Sequence, residues 1–208
     1  KFDEAMRPLV IFKNPENKYV NIEEYFKAIP DQYKEKLKDK ILYYEKNRSD
    51  YSIVKQLMIE KIMPVETNEH IDPHFMQHIE FKKIGDQNIK FAAIDSEISN
   101  ILGSANSSDS DLKIKDLFSH ILNGDKKENT LDIEIGKMNN AAIPAYFKID
   151  ENSKRMEQMF KSMGQDFQMP IKKTLVINPS NPLIQNAFKL SEKGGKEKLV
   201  GMLCNYVN

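Results

Sequence analysis

DENSKRMEQMFKSMGQDFQMPIKKTLVINPSNP, residues 150–182, reads as a helix, a strand and the start of a second helix. Met156, Met159, Phe160 and Met163 recur at i, i+3, i+4 and i+7, the period of one helix face. Asp150 or Asn152 can cap its start and Gly164 its end. Thr174 to Asn178 then has strand character, and Asn181-Pro182 is an N-cap followed by a first-turn proline. An apolar helix stripe is ordinarily buried. Three of these four residues are methionine, whose flexible, polarizable side chain also suits surfaces that accept varied partners. Spacing alone leaves a core face and a binding face both open.

Upstream, Ile114, Leu117, Phe118, Ile121 and Leu122 form a helical stripe closed by Asn123-Gly124. Leu131, Ile133 and Ile135 alternate with charged residues as in a half-buried strand, and Ile143 to Ile149 is a further strand candidate. Helix and strand do not alternate strictly here, so residues 111–208 are expected to form an α+β domain. Residues 103–111, GSANSSDSD, are small and polar throughout, which places a linker at 104–110.

Residues 1–103 have another rhythm. Asn21 caps a helix through Tyr25 and Phe26, with Glu24 placed for a capping box. Ile41 to Tyr44 is a short apolar strand, and Ser49 or Asp50 starts a helix carrying Ile53, Val54, Leu57, Met58 and Ile62. Met63 to Glu66 is a second strand that Pro64 weakens or confines to an edge. Asp72-Pro73 opens a helix with Phe75, Met76 and Ile79, and Ile89 to Ile94 is a third strand. This alternation implies a small parallel α/β/α subdomain.

Composition narrows the function. Lys+Arg and Asp+Glu are both 31, so no basic surplus exists to hold nucleic acid. No apolar run approaches the roughly 18 residues of a membrane span, and no signal peptide is visible. The single cysteine, Cys204, excludes an intrachain disulfide and fits a reducing compartment, so the cytoplasm is expected. The chain begins KFDEAM, and Leu199, Met202, Leu203, Tyr206 and Val207 form a stripe running to its end. Both ends read as cuts within a longer protein.

Catalytic motifs are missing. The eight glycines are scattered, with no GxGxxG after a strand and no GxxxxGK[ST]. Gly194-Gly195-Lys196 lacks a preceding strand and reads as a helix end. His74 and His78 share an i, i+4 helix face with His70 nearby, but without HExxH they read as an ordinary polar face and no metal is expected. Cys204 lies in an apolar stripe as a buried structural thiol. The many carboxylates sit at helical offsets from lysines, like solvated faces.

ENSKRMEQMFKSMG (151–164) followed by TLVINPSNPLI (174–184) resembles the C-terminal domain of the heat shock protein 90 chaperones, in their bacterial form HtpG. VNIEEYFKAI (20–29), ILYYEKN (41–47), HIDPHFMQHIEF (70–81) and KFAAIDSEIS (90–99) resemble the last α/β segment of that family's middle domain. Order, spacing and linker agree over nearly the whole chain. The resemblance implies part of an ATP-dependent, homodimeric, stress-response chaperone that binds non-native client proteins. ATP and magnesium would bind in an N-terminal domain outside this chain. The middle-domain catalytic arginine would also lie outside, so no ATPase activity and no cofactor are expected here. Met156, Met159, Phe160 and Met163 fall on the family's client-binding helix, although a further apolar client contact is replaced by Asn152. Leu199, Met202, Leu203 and Tyr206 fall in the first part of its dimerisation helices. Gly201 departs from that role, because glycine inside a helix costs about 1 kcal/mol relative to alanine.

Two other readings stand beside this one. The α/β half could carry a small-ligand enzyme or sensor at its strand ends, though these lead into acidic, glycine-free segments such as 45–50 and 66–72. The chain could also be a purely structural module coupling two further domains.

Overall fold

In the computed structural model, residues 9–46, 51–68, 72–81, 88–104, 108–124, 131–138, 141–162 and 173–207 are described. The chain divides into two units, both mixing helices and strands. Unit 1 takes the described residues through Ile101 and the helix beginning at Glu151; unit 2 takes Leu102–Asp150 and the described residues from Lys173 onward.

Unit 1 opens with a hairpin, β1 (Ile11–Lys13) and β2 (Tyr19–Asn21), that sequence reading missed. Asn14 organises its turn: Oδ1 accepts from the backbone N–H of Glu16 at 3.0 Å and of Lys18 at 2.9 Å. Asn21 then starts helix α1 (Ile22–Ala28) through the expected capping box with Glu24. Pro30 precedes the short helix α2 (Asp31–Lys34). Strand β3 (Lys40–Glu45), helix α3 (Tyr51–Ile59), strand β4 (Val65–Thr67), helix α4 (Asp72–Phe81), strand β5 (Lys90–Ala93) and helix α5 (Ile94–Leu102) follow. Ser49, Asp50 and His70 lie outside the described residues.

The sheet order is β2-β1-β4-β3-β5. The strands β4, β3 and β5 are parallel, as expected, but β1 joins β4 antiparallel, so the sheet is mixed. Strand β4 is interior, not at an edge. Pro64 falls just before its first residue, where a missing N–H interrupts no ladder bond. Central β3 buries Ile41, Leu42, Tyr43 and Tyr44, the continuous apolar run of a strand covered on both faces. Tyr25 accepts the Leu42 N–H at 2.9 Å, and burial raises its phenol pKa.

Unit 2 holds strand β6 (Gly103–Ser104), helix α6 (Asp109–Asn123), and strands β7 (Asp132–Ile135), β8 (Lys137–Met138) and β9 (Ala145–Ile149). Strand β10 (Lys173–Ile177) and helices α8 (Pro182–Glu192) and α9 (Glu197–Val207) complete it, the intervening helix α7 (Glu151–Ser162) belonging to unit 1. Strand β10 pairs parallel with β7 and antiparallel with β9, while β6 and β8 form a two-stranded pair. Ser104, expected to begin the linker, lies with Gly103 in a strand. Ser108 caps α6 in a capping box with Asp111, and Gly124 ends it at φ 51°. Ile114, Phe118, Leu175, Ile177, Ile184 and Cys204 form the core. Asn178 and Asn181 explain the NPSN turn between β10 and α8. Asn178 Nδ2 donates to Ile143 O at 3.0 Å, and Asn181 Oδ1 accepts from Leu183 N at 2.8 Å.

Candidate functional site

Helix α7 (Glu151–Ser162) carries the methionine stripe. Helix α7 packs in unit 1, while the strands on either side of it in sequence belong to unit 2. Its placement follows from a face that sequence reading took for solvated. Glu151, Lys154 and Arg155, at i, i+3 and i+4, point to unit 1.

Arg155 grips Glu80 of α4 with two parallel bonds, Nη1 to Oε2 at 2.6 Å and Nη2 to Oε1 at 2.7 Å. It also donates from Nη2 to the Phe91 carbonyl at 2.6 Å and from Nε to Glu151 Oε1 at 3.0 Å. These bonds, those to Glu80 first, raise the guanidinium pKa further and fix its charge. Glu151 Oε2 accepts from the Ala93 N–H at 2.9 Å and from Ser96 Oγ at 3.0 Å. Its Oε1 accepts from the Tyr43 hydroxyl at 3.3 Å, a phenol whose pKa is raised by burial first and by Glu151 next.

Lys154 reaches deeper. Its Nζ donates to Asp95 Oδ2 at 2.9 Å, with both side chains only 10% exposed, and lies 5.6 Å from the centroid of the Tyr43 ring. Asp95 Oδ1 is buried without a hydrogen-bond partner among the described residues. Such a pair gains little net stability, because desolvation offsets most of the attraction, but breaking it leaves a buried charge. Asp95 follows the carboxyl end of β5, the end of a parallel sheet where α/β proteins bind ligands. Here the protein's own lysine occupies that place.

The methionines of α7 are partly open to solvent. Met156 is 43% and Met159 42% exposed, while Phe160 is half-buried. Met163 and Gly164 lie outside the described residues. The structure thus brings Met156, Met159 and Phe160 onto one helix whose polar face is pinned.

The second predicted surface lies on α9. Leu199, Met202 and Tyr206 are 44%, 62% and 81% exposed, and Leu203 is half-buried. Val200 and Cys204 face the core, and Val207 packs beside them instead of joining the outer stripe. Burial pushes the Cys204 thiol up to about 11, as an inert structural cysteine requires. His74 and His78 are exposed, and no cluster of His, Cys, Asp or Glu among the described residues could hold a metal.

Sequence reading missed the Glu80–Arg155–Glu151 and Asp95–Lys154 contacts. Arg155 and Glu80 stand 75 residues apart and Lys154 and Asp95 stand 59 apart, so no local spacing announces them. No model of a known protein family matches this chain, and no curated protein matches it.

Proposed function

We propose that this chain is the client-binding part of a heat shock protein 90-type chaperone, with Met156, Met159, Phe160 and Met163 as the surface for non-native protein. The observation that carries the reading is the orientation of α7: its charged face is fastened to unit 1 and its methionines are left outward. Apolar area without a shape code suits a partner of many sequences. Each side chain offers up to roughly 1.5–3 kcal/mol if a client buries it fully, less the cost of association. In this reading the chain hydrolyses no ATP, works in the cytoplasm, and uses the outer stripe of α9 for self-association in the longer protein. No described helix is long and apolar enough to cross a membrane.

Photo-crosslinking tests it. A benzoylphenylalanine at Met159 should crosslink to labelled, reduced and carboxymethylated α-lactalbumin, and the same group at exposed Glu23 on α1 should not. Equal crosslinking at both positions would contradict the reading.

A coupling role is the second reading, favoured by the chain's path. It leaves unit 2 for one helix of unit 1 and returns to unit 2. The small-ligand reading is weakened by Lys154, which fills the strand-end position that a ligand would take.

A further inference from the structure

Among the described residues, strand β5 is the last strand of its sheet, and its far side has no neighbouring strand. Lys90 turns inward, its N–H bonded to Asp39 O at 2.7 Å on the side of β3. Phe91 and Ala93 therefore turn outward, since alternate residues of a strand face alternate neighbours. Their groups are met by charged side chains: the Phe91 N–H by Glu80 Oε1 at 2.7 Å, the Phe91 carbonyl by Arg155, and the Ala93 N–H by Glu151. Two acceptors and one donor, two residues apart, are what an added strand would supply. The ion triad imitates one.

An edge strand is usually guarded by a proline, an inward-pointing charge or a bulge. Strand β5, KFAA, has no proline, and its buried residues are all apolar. Its guard is α7. That helix buries no apolar side chain among its described residues. Charged side chains tie it to unit 1, and salt screens the partly exposed Arg155–Glu80 contact more than the buried Lys154–Asp95 one.

We propose that α7 is a removable cover, and that the β5 edge beneath it accepts an extended stretch of unfolded polypeptide by strand addition. The outward groups are main-chain groups, so they read a partner's backbone without regard to its sequence. That suits a non-native client; the identity of this partner rests on the client-binding reading, whereas the covered edge does not.

The probe is a fluorescein-labelled decapeptide of alternating valine and threonine with lysine at each end. Its control is the same peptide N-methylated at alternate amides. Arg155→Met in the full chain should bind the probe at least about tenfold tighter than wild type does, and should not bind the methylated control. Hydrogen exchange at the Phe91 and Ala93 amides should slow when the probe is bound. For the wild type, raising salt should strengthen probe binding, a second route should Arg155→Met fold poorly. Adding Met156→Ser and Met159→Ser to Arg155→Met should leave probe binding intact, so failure of the methionine surface and failure of the edge are separable. No gain in either route, or equal binding of the methylated control, overturns the proposal. Concentration-dependent dimers of Arg155→Met that exclude the probe would assign the edge to a second copy and overturn it equally.

Discussion

Cys204 is fully buried in unit 2, and burial raises its thiol from 9.0 to about 11. The unfolded chain then loses this proton before the folded one does. The neutral thiol's contribution, on the order of 2–3 kcal/mol, is present below pH 9 and lost as pH rises through about 11. Urea denaturation at pH 8 and pH 11 should show wild type losing that much more than Cys204→Ala; parallel losses would refute the assignment. Gly136 tests packing. A Cβ there would strike Val176 Cγ1, so Gly136→Ala should cost about 1–3 kcal/mol and Val176→Ala should restore part of it. Lys154→Met strands Asp95 and should cost about 3–5 kcal/mol, mostly recovered by adding Asp95→Leu. A single variant with no effect would place the pair in solvent.

At the scale of elements, local chemistry was legible where a cap or a long stripe announced it. Asn21 with Glu24, Asn181 with Pro182, and the stripe from Ile114 to Leu122 each define their helix. The β1–β2 hairpin was not legible, because strands of three residues are too short to show alternation. The site was half legible. The methionine spacing singled out Met156 and Met159, which are exposed, and Phe160, which is half-buried, but Glu151, Lys154 and Arg155 look like any solvated face until the fold brings Glu80, Phe91 and Asp95 to them. Helix α9 shows a different limit: it has apolar residues on two sides, and periodicity could not say that Val200 and Cys204 face the core. Its Gly201 meets nothing within 4 Å where a Cβ would sit. Gly201→Ala should therefore stabilise the chain by up to about 1 kcal/mol in thermal or urea melts. A loss of stability there would mean that a Cβ is not accommodated.

Across the whole molecule, two units share one chain, and α7 belongs to the first while its sequence neighbours belong to the second. Composition and the alternation of elements made a mixed α/β fold readable. The return excursion of α7 was not readable, because it depends on long-range ion pairs and not on any local pattern. That excursion leaves Met156 and Met159 of an amphipathic helix exposed. The central claim is that this surface binds non-native protein. Fluorescence-anisotropy titration of labelled, reduced and carboxymethylated α-lactalbumin with the chain tests it most directly, with circular dichroism confirming the fold of each variant. Saturable binding by wild type and a loss of about tenfold or more in folded Met156→Ser/Met159→Ser is the predicted result. Equal affinity in the two proteins, or no binding by wild type, would contradict the claim.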